Sequence, residues 1–435
     1  MSESVTKPET VRRPQSSRVS FLLRLGPGLI TGAADDDPSG IATYSQVGAQ
    51  FGMGMLWTML FSFPLMAAIQ EICARLGRIT GVGIAENLRK HYPKPVLYGI
   101  VILLSVANIF NLGADVSAMG AAAQLVFGGN INAFAVFFGV ISLLLQIFVP
   151  YRRYVNYLKW LTLALFAYVA TAFVVQVPWG AALRATVAPS LSWKSDYWMA
   201  LVAVLGTTIS PYLFFWQASE EAEDVRLNKG ESALKNKPAQ APLQFNRIAI
   251  DTRVGMAFSN VVAFFIILTT AVTLHASDAG KGIQSAADAA KALQPLAGKL
   301  AFLLFALGII GTGMLAIPVL AGSAAYAIAE TFQWRASLEK KPRKAPKFYG
   351  VLAVATLIGI SLNFIGMNPI RELYLSAVVN GVVAVPLMVT LMLMSANPKI
   401  KGKFKLPGYV RVGGWAATGV MFLAALGFAI SIIRK

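Results

Sequence analysis

Oxygen-bearing side chains are concentrated in two short segments that are otherwise apolar. The segments read GAADDDPSGIATYS, with Asp35, Asp36 and Asp37 ahead of Pro38, and VLGTTISPYLFFW, with Thr207, Thr208 and Ser210 ahead of Pro211. Carboxylates, hydroxyls and backbone carbonyls are the ligands that hard divalent cations such as Mg²⁺, Ca²⁺ and Mn²⁺ prefer. No cysteine or histidine lies in either segment. The two segments together predict a cation site built from oxygen atoms.

Asp37 is the strongest candidate for the cation ligand among the three consecutive aspartates. Successive side chains of a helix point about 100° apart, so the three cannot face one cavity while the helix persists. The backbone is expected to open at Asp37, because this residue directly precedes Pro38. We expect Asp35 and Asp36 to line a vestibule or a polar track. An ionised carboxylate within a membrane costs about 2.5 to 3.5 kcal/mol, so each of these side chains needs a partner or a ligand.

Both segments have the composition of interrupted helices. Gly32, Pro38 and Gly40 lie in the first, and Gly206 and Pro211 lie at the corresponding depth of the second. Proline removes a backbone donor and clashes with the preceding turn, although a single proline is also consistent with a harmless kink. Unwound backbone within a membrane is tolerated where it lines a cavity. Two breaks five spans apart predict an all-α membrane protein built as an inverted repeat of five plus five helices, with discontinuous first and sixth helices and an additional eleventh helix.

The composition places these helices in a lipid bilayer. Of the 435 residues, 56% are hydrophobic and only 13% are charged, whereas soluble domains carry about 25% charged residues. Apolar runs of about 20 residues recur, which is long enough to cross the hydrocarbon layer. We predict eleven spans, at residues 21–47, 53–77, 95–127, 131–150, 154–177, 197–220, 248–275, 297–331, 347–366, 369–396 and 412–433.

The net charge of +18 reflects membrane topology rather than nucleic-acid binding. Lys and Arg fall mainly in alternate loops and in the N-terminal tail, and such residues are retained on the cytoplasmic side. We therefore expect a multi-pass plasma-membrane protein with a cytoplasmic N-terminus and an external C-terminus. Cys73 is the single cysteine, and we find no phosphate-binding loop and no nucleophile with an adjacent base. We expect no enzymatic activity, no cofactor and no obligate protein partner, only lipid and divalent metal ions.

Four regions follow from this pattern. Residues 1–18 are polar and basic and are predicted to form a disordered cytoplasmic tail. Residues 19–177 form the first five-helix repeat, and residues 178–396 form the second. The second repeat includes a cytoplasmic loop at residues 221–246 that we expect to be mobile. Residues 397–435 contain a basic loop and the eleventh helix.

The first span carries a family resemblance. The stretch Gly26–Trp57, GPGLITGAADDDPSGIATYSQVGAQFGMGMLW, resembles the opening of the natural resistance-associated macrophage protein (NRAMP) divalent-metal transporters. In that family a GPG or GPA start leads to a DPGN turn and a GAQFG segment. The resemblance continues through the second span, the LVFG end of the third span and the sixth span. It implies a LeuT-type fold and inward transport of divalent metal, often with proton coupling.

The resemblance also implies a ligand set. The aspartate of the DPGN turn falls on Asp37, whereas its asparagine falls on Gly40, which removes one oxygen ligand. The sixth-span pattern of Ala, Thr, Val, Met, Pro and His begins at Thr207, whose carbonyl is an implied ligand. The methionine of that pattern is replaced by Ser210, and the histidine by Tyr212.

Other positions of the family pattern are altered or displaced. A second histidine of the sixth span falls on Gln217, and the acidic pair of the third span falls on Leu112 and Asp115, so half of an acidic proton route is absent. Asn380 is the nearest match to a tenth-span glutamine that supplies an amide oxygen. Asp115, with the asparagines at 108 and 111, is expected to form a polar track or interhelical hydrogen bonds.

These departures lead to the functional hypothesis. A thioether favours softer transition metals, so its loss at Ser210 removes discrimination against Mg²⁺, and small Gly40 leaves room for a partly hydrated ion. The pattern is similar to the NRAMP-related magnesium transporter branch. It predicts an importer of hard divalent cations, with Mg²⁺ favoured and Mn²⁺ also carried, without tight proton coupling. The alternatives are a proton-coupled Mn²⁺ and Fe²⁺ importer, a metal-binding sensor, and a transporter of organic substrates.

Overall fold

The computed structural model describes residues 31–32, 34–150, 153–154, 158, 160–228, 230–275 and 282–433. Within these ranges the chain forms helices and no β-strand. The helices of the first half are α1 Pro38–Phe51, α2 Trp57–Thr80, α3 Ile84–His91, α4 Lys94–Phe127, α5 Ile131–Phe148 and α6 Phe166–Val174. The α-helices of the second half that are longer than four residues are α7 Trp179–Val187, α8 Ser195–Thr208, α9 Pro211–Leu227, α10 Ala241–Thr273, α11 Ala286–Lys291, α12 Ala301–Thr331, α13 Pro346–Leu362, α14 Pro369–Ala396 and α15 Gly408–Ile433. The tail predicted at residues 1–18 lies outside the described residues.

Nine helical segments of the described chain are long and apolar enough to cross a membrane. They correspond in order to nine of the eleven predicted spans. The other two predictions, at residues 21–47 and 154–177, lie partly outside the described residues. Their described parts include α1 and a shorter apolar helix at Leu161–Val174.

The two predicted breaks are present, and each is followed by a helix that begins with proline. Helical backbone ends at Asp35, and α1 starts at Pro38 after an extended Asp37 with φ −71° and ψ 170°. In the second half, α8 ends before Ile209, and α9 starts at Pro211 after an extended Ser210 with φ −74° and ψ 126°. Proline suits the first helical position, because it needs no N–H partner there.

Proline alone does not interrupt a helix in this protein. Pro64 in α2, Pro318 in α12 and Pro386 in α14 all lie inside continuous helices. The two breaks differ from these sites because an acid or a hydroxyl precedes the proline and adopts extended backbone. Proline alone therefore does not account for the breaks; the polar residue before the proline distinguishes them from the continuous helices.

The helices form two groups that meet at the breaks. In one group α10 packs against α1 and α2, and α2 packs against α9; in the other α4 packs against α5, α12 and α13. Helix α14 contacts both α4 and α8. The α8–α14 contact is close, since a Cβ atom at Gly206 would overlap the backbone of Ala377 and Gly381. Small residues at helix contacts are typical of membrane bundles.

The segment at residues 221–246, which was expected to be a loop, includes the end of α9 and the start of α10. Helix α9 continues to Leu227 and α10 begins at Ala241, so the connection is shorter than predicted. Leu234 is fully buried, and its N–H donates to the Arg78 carbonyl at 3.1 Å. Lys235 N–H donates likewise to the Ile79 carbonyl at 3.2 Å. The segment is therefore attached to the end of α2, a tertiary contact that its polar composition does not reveal.

Candidate metal-binding site

Asp37 lies at the first break, where its side chain caps the helix that follows. Its Oδ1 atom accepts a hydrogen bond from the Gly40 N–H at 2.7 Å. A carboxylate at this position is favoured by the unpaired N–H groups and the positive end of the helix dipole. The residue is only 2% exposed. The cap fixes the direction in which the second carboxylate oxygen points.

The second oxygen of Asp37 faces two other helices. Asn111 on α4 donates from Nδ2 to Asp37 Oδ2 at 2.9 Å. Tyr212 on α9 approaches the same oxygen with its hydroxyl at 3.4 Å and also donates to the Ala34 carbonyl at 3.0 Å. Tyr212 is fully buried, and these contacts of its hydroxyl connect the two broken helices. Both helix groups therefore converge on a single carboxylate.

Gly40 faces the interior of this cluster. A Cβ atom at Gly40 would lie 3.1 Å from Thr207 Oγ1 and 3.4 Å from both the Asp35 carbonyl oxygen and Asp37 Oδ1. An asparagine here would place its amide among those oxygens. The position that departs from the family pattern thus lines the same cluster as Asp37 and Thr207.

Ser210 and Thr207 form the second break. The Ser210 hydroxyl donates to the Thr207 carbonyl at 2.7 Å and is 3.2 Å from the Gly206 carbonyl. The hydroxyl proton therefore holds the unwound turn together, while the lone pairs of Ser210 Oγ stay available to a cation. Thr208 instead donates to Val204 within its own helix at 2.9 Å.

Asn380 on α14 is linked to Asp37 through one intervening side chain, that of Asn111. Its Nδ2 donates to Asn111 Oδ1 at 3.3 Å, and Asn111 in turn contacts Asp37. The Asn380 Oδ1 atom is buried and accepts no hydrogen bond within the described part of the chain. The predicted amide ligand is therefore near the site but reaches Asp37 through Asn111.

Asp35 and Asp36 are directed away from the Asp37 cluster, toward α10. Ser259 Oγ lies 2.6 Å from Asp35 Oδ2 and 3.0 Å from Asp36 Oδ1. The two residues are 0% and 1% exposed, so they are enclosed by protein rather than open to a wide vestibule.

Asp115 and Gln217 lie on the two helices that supply Asn111 and Tyr212 to the site. Asp115 lies four residues beyond Asn111 on α4, is fully buried, and neither of its carboxylate oxygens has a hydrogen-bond partner among the described residues. Gln217 accepts a hydrogen bond from Thr31 through Oε1, which connects α9 to the helix before the first break.

The donor set is oxygen-rich and carries few charges. Within the described ranges, no group of three or more His, Cys, Asp and Glu side chains is arranged to hold a metal ion. His275 lies beyond α10, where Nδ1 is 2.8 Å from the Ala49 carbonyl, and His91 ends α3. Asp37 with neutral oxygens around it can bind a hard cation that keeps part of its water shell.

Two residues near the site carry weak signals or none in the sequence. Ser259 is one hydroxyl among many in apolar helices, so nothing marks it. Glu372 in the first turn of α14 is 1% exposed, and its Oε1 has no partner among the described residues. An acid inside a predicted span is a recognisable signal for a functional position, and it would have identified Glu372.

The fold and the site define an inverted-repeat membrane transporter with two interrupted helices around a buried polar centre. A family model for natural resistance-associated macrophage protein-like sequences matches residues 28–431. The chain belongs to the NRAMP family. It is thus a transporter-family protein and not an enzyme, as the sequence predicts.

Individual relatives extend this comparison. The chain is 26% identical over 412 residues to the divalent metal cation transporter MntH of Erwinia tasmaniensis, covering 92% of both chains. It is 26% identical over 417 residues to MntH of Klebsiella pneumoniae, covering 94% of both.

Solved structures support the fold. A crystal structure of the Eremococcus coleocola manganese transporter matches with a TM-score of 0.74 at 17% identity, over 93% of this chain and 85% of that one. The nucleobase–cation symport transporter Mhp1 matches with a TM-score of 0.58 at 14% identity, over 94% of this chain and 93% of that one. The predicted LeuT-type inverted repeat is confirmed.

Proposed function

We propose that this protein imports hard divalent cations across the plasma membrane, with Mg²⁺ favoured and Mn²⁺ also carried. Its N-terminus would lie in the cytoplasm and its C-terminus outside, as the distribution of basic residues suggests. The names of its relatives, a divalent metal cation transporter and a manganese transporter, support a divalent cargo. The observation that carries the proposal is Asp37, a buried carboxylate at a helix break surrounded by oxygen and amide groups.

The choice of Mg²⁺ depends on the second break. Ser210 offers a hard oxygen where the family pattern has a thioether, and a thioether stabilises Mn²⁺, Fe²⁺ or Cd²⁺ far more than Mg²⁺. Gly40 presents no side chain toward Thr207 and Asp37. Mg²⁺ sheds its water reluctantly, and a glycine at position 40 contributes no side-chain ligand that would have to replace one of those waters.

The proposed transport is alternating access. Helices α1, α2, α9 and α10 would move as one group against α4, α5, α12 and α13, with the ion held at the two breaks. Asn111 belongs to one group and Tyr212 to the other, and both contact Asp37. An ion at Asp37 would thus form contacts with both groups at once.

Tight proton coupling is not part of the proposal. Histidine is the side chain that titrates most readily near neutral pH, and neither histidine of the chain lies in α8 or α9. We therefore expect ion entry without acidification of the vesicle lumen.

The test is a flux series in proteoliposomes that compares Mg²⁺, Ca²⁺, Mn²⁺ and Cd²⁺, with a pH-sensitive dye inside. The expected result is uptake of Mg²⁺ and Mn²⁺ without luminal acidification, and loss of both fluxes in Asp37→Ala. Asp288→Ala, which removes an acid from α11 outside the membrane spans, is the matched control. Full Mg²⁺ and Mn²⁺ flux in Asp37→Ala would reject the site.

A proton-coupled Mn²⁺ and Fe²⁺ importer is the second candidate. Buried Asp115, four residues from Asn111 and without a hydrogen-bond partner in the described chain, favours it, because such a carboxyl can carry a proton. Metal-driven acidification that disappears in Asp115→Asn, together with preference for Cd²⁺ over Mg²⁺, would select this candidate over the first.

A further inference from the structure

Asp35, Asp36 and Ser259 form a second polar cluster, which the Asp37 site does not use. The single hydroxyl proton of Ser259 is shared between two carboxylates, since Oγ lies 2.6 Å from Asp35 Oδ2 and 3.0 Å from Asp36 Oδ1. A hydroxyl can donate to only one of them at a time. Asp35 Oδ1 and Asp36 Oδ2 are buried, and within the described chain neither accepts a hydrogen bond. Two carboxylates are therefore held together with too few donors.

The cluster exists because two helices approach at glycine. A Cβ atom at Gly32 would overlap the backbone of Gly255 on α10. Asp35 follows Gly32 by three residues and is the last helical residue before the break, and Ser259 follows Gly255 by four residues on α10. Residues three or four apart lie on the same face of a helix, so the glycine contact brings the serine against Asp35 and the adjoining Asp36.

No positively charged side chain among the described residues neutralises this cluster. Across the residues that the structure covers, neither Asp35 nor Asp36 forms an ion pair with Lys, Arg or His. The neighbouring charged group is another acid, Asp37. Adjacent carboxylates in a low-dielectric interior repel one another strongly. A bound cation removes this repulsion and supplies a partner for the two unused oxygens.

The cluster is distinct from the Asp37 site. Asp37 directs its oxygens to Gly40, Asn111 on α4 and Tyr212 on α9, whereas Asp35 and Asp36 face α10. Two carboxylates balance the charge of one divalent ion. Mg²⁺ is commonly bound by one or two carboxylates and keeps several waters, so a hydroxyl and two acids are a sufficient protein contribution.

We propose that Asp35, Asp36 and Ser259 bind a second hard divalent cation beside the ion held by Asp37. This inference rests on the proposed function, since it assumes that divalent ions reach the break. The second ion occupies the α10 side of the broken helix. The chain then binds two adjacent ions, and occupancy of one side influences the other through their charge.

Equilibrium dialysis of the purified full-length protein in nanodiscs tests the stoichiometry, with Mn²⁺ as the probe and Mg²⁺ as the competitor. The expected result is two Mn²⁺ ions per chain in the wild type. One ion should remain in Asp35→Asn/Asp36→Asn and one in Asp37→Asn. Ser259→Ala should lower the affinity for one of the two ions about tenfold. Ser361→Ala, which removes an exposed hydroxyl from α13, should bind both ions with unchanged affinity.

Electron paramagnetic resonance then shows whether the two ions are neighbours. Two Mn²⁺ ions a few ångströms apart broaden each other's spectrum, and either set of acid substitutions should restore the sharp lines of an isolated ion. The ion that remains in the double variant also shows that this variant is folded.

The outcomes separate this inference from the proposed function. One ion per chain in the wild type, lost in Asp37→Asn and unaffected in Asp35→Asn/Asp36→Asn, would overturn the second site and leave the Asp37 site intact. An infrared band of a protonated carboxyl that persists with bound metal and disappears in the double variant would also overturn it. Absence of any Mn²⁺ binding would reject both proposals.

Discussion

Two regions of this protein that contain buried acids differ in how those acids are surrounded. At the first break, Asp35, Asp36 and Asp37 form no ion pair with a basic side chain within the described residues. At the end of α9, Glu221 is fully buried but lies 3.8 Å from Arg78 and pairs with Arg247. Acidic side chains are therefore paired with basic ones in one region and have no basic partner among the described residues in the other.

Under the proposed function, this difference separates structural acids from ion-binding acids. Arg78 is fully buried at the end of α2 and also pairs with Asp224 at 3.3 Å and with Glu231 in the connection to α10. The charges of Arg78 and of these acids are therefore compensated within the protein, without a ligand. The acids at the break have no basic partner among the described residues, and under the proposed function a cation from outside the protein would compensate them, as expected of a transport site.

The largest expected effect lies in the compensated region. Arg78→Met leaves Glu221, Asp224 and Glu231 without their shared partner, and breaking a buried pair costs about 3 to 5 kcal/mol. We expect a clearly lower melting temperature in detergent, measured by tryptophan fluorescence. Arg89→Met, which loses only a partly exposed pair with Glu86, is the control, with a change of at most about 1 kcal/mol. Equal melting temperatures of Arg78→Met and Arg89→Met would contradict this assignment of Arg78 as a structural partner of the buried acids.

A substitution at the first break should have the opposite effect, with a large loss of ion uptake and a small loss of stability. Asp37→Asn removes the charge that binds the ion, so we expect Mg²⁺ and Mn²⁺ uptake to fall roughly 100-fold, a loss of about 2.7 kcal/mol in ion binding. Stability of the metal-free protein should change by less than about 1 to 2 kcal/mol, because the amide keeps the shape of the side chain. A destabilisation as large as that of Arg78→Met would mean that this acid is structural.

Ion preference gives a smaller and more specific effect. Ser210→Met adds a soft ligand at the second break, so the ratio of Cd²⁺ to Mg²⁺ uptake should rise about tenfold. Ser361→Met makes the same substitution at an exposed position of α13 and should leave the ratio unchanged. The measurement is competitive uptake in proteoliposomes, and an unaltered ratio in Ser210→Met would remove Ser210 from the ligand set.

The smallest effect concerns the bridge between the two broken helices. Tyr212→Phe removes the hydroxyl that contacts the Ala34 carbonyl and Asp37, and one such hydrogen bond contributes about 0.5 to 1.5 kcal/mol. We expect transport to slow by about two- to twelvefold while the ion preference stays the same. A changed preference would instead make Tyr212 a direct ligand.

The main elements of the fold could be predicted from local patterns. Apolar runs of membrane-spanning length predict the nine described spans, because the bilayer sets their length. A polar residue before Pro38 and another before Pro211 locate both breaks, since proline restricts the residue before it and suits the start of a helix. The same reasoning predicts Asp37 as a site residue, because it precedes the proline at the break and caps the helix that follows.

Which side chains meet across helices was decided by the tertiary structure. Ser259 reaches Asp35 and Asp36 from 224 and 223 residues away, and the glycine contact that aligns them has no local pattern. Arg78 likewise finds its acids on α9 and in the connection to α10. Periodicity and turn chemistry act over a few residues, whereas the register between distant helices depends on the packing of the whole bundle.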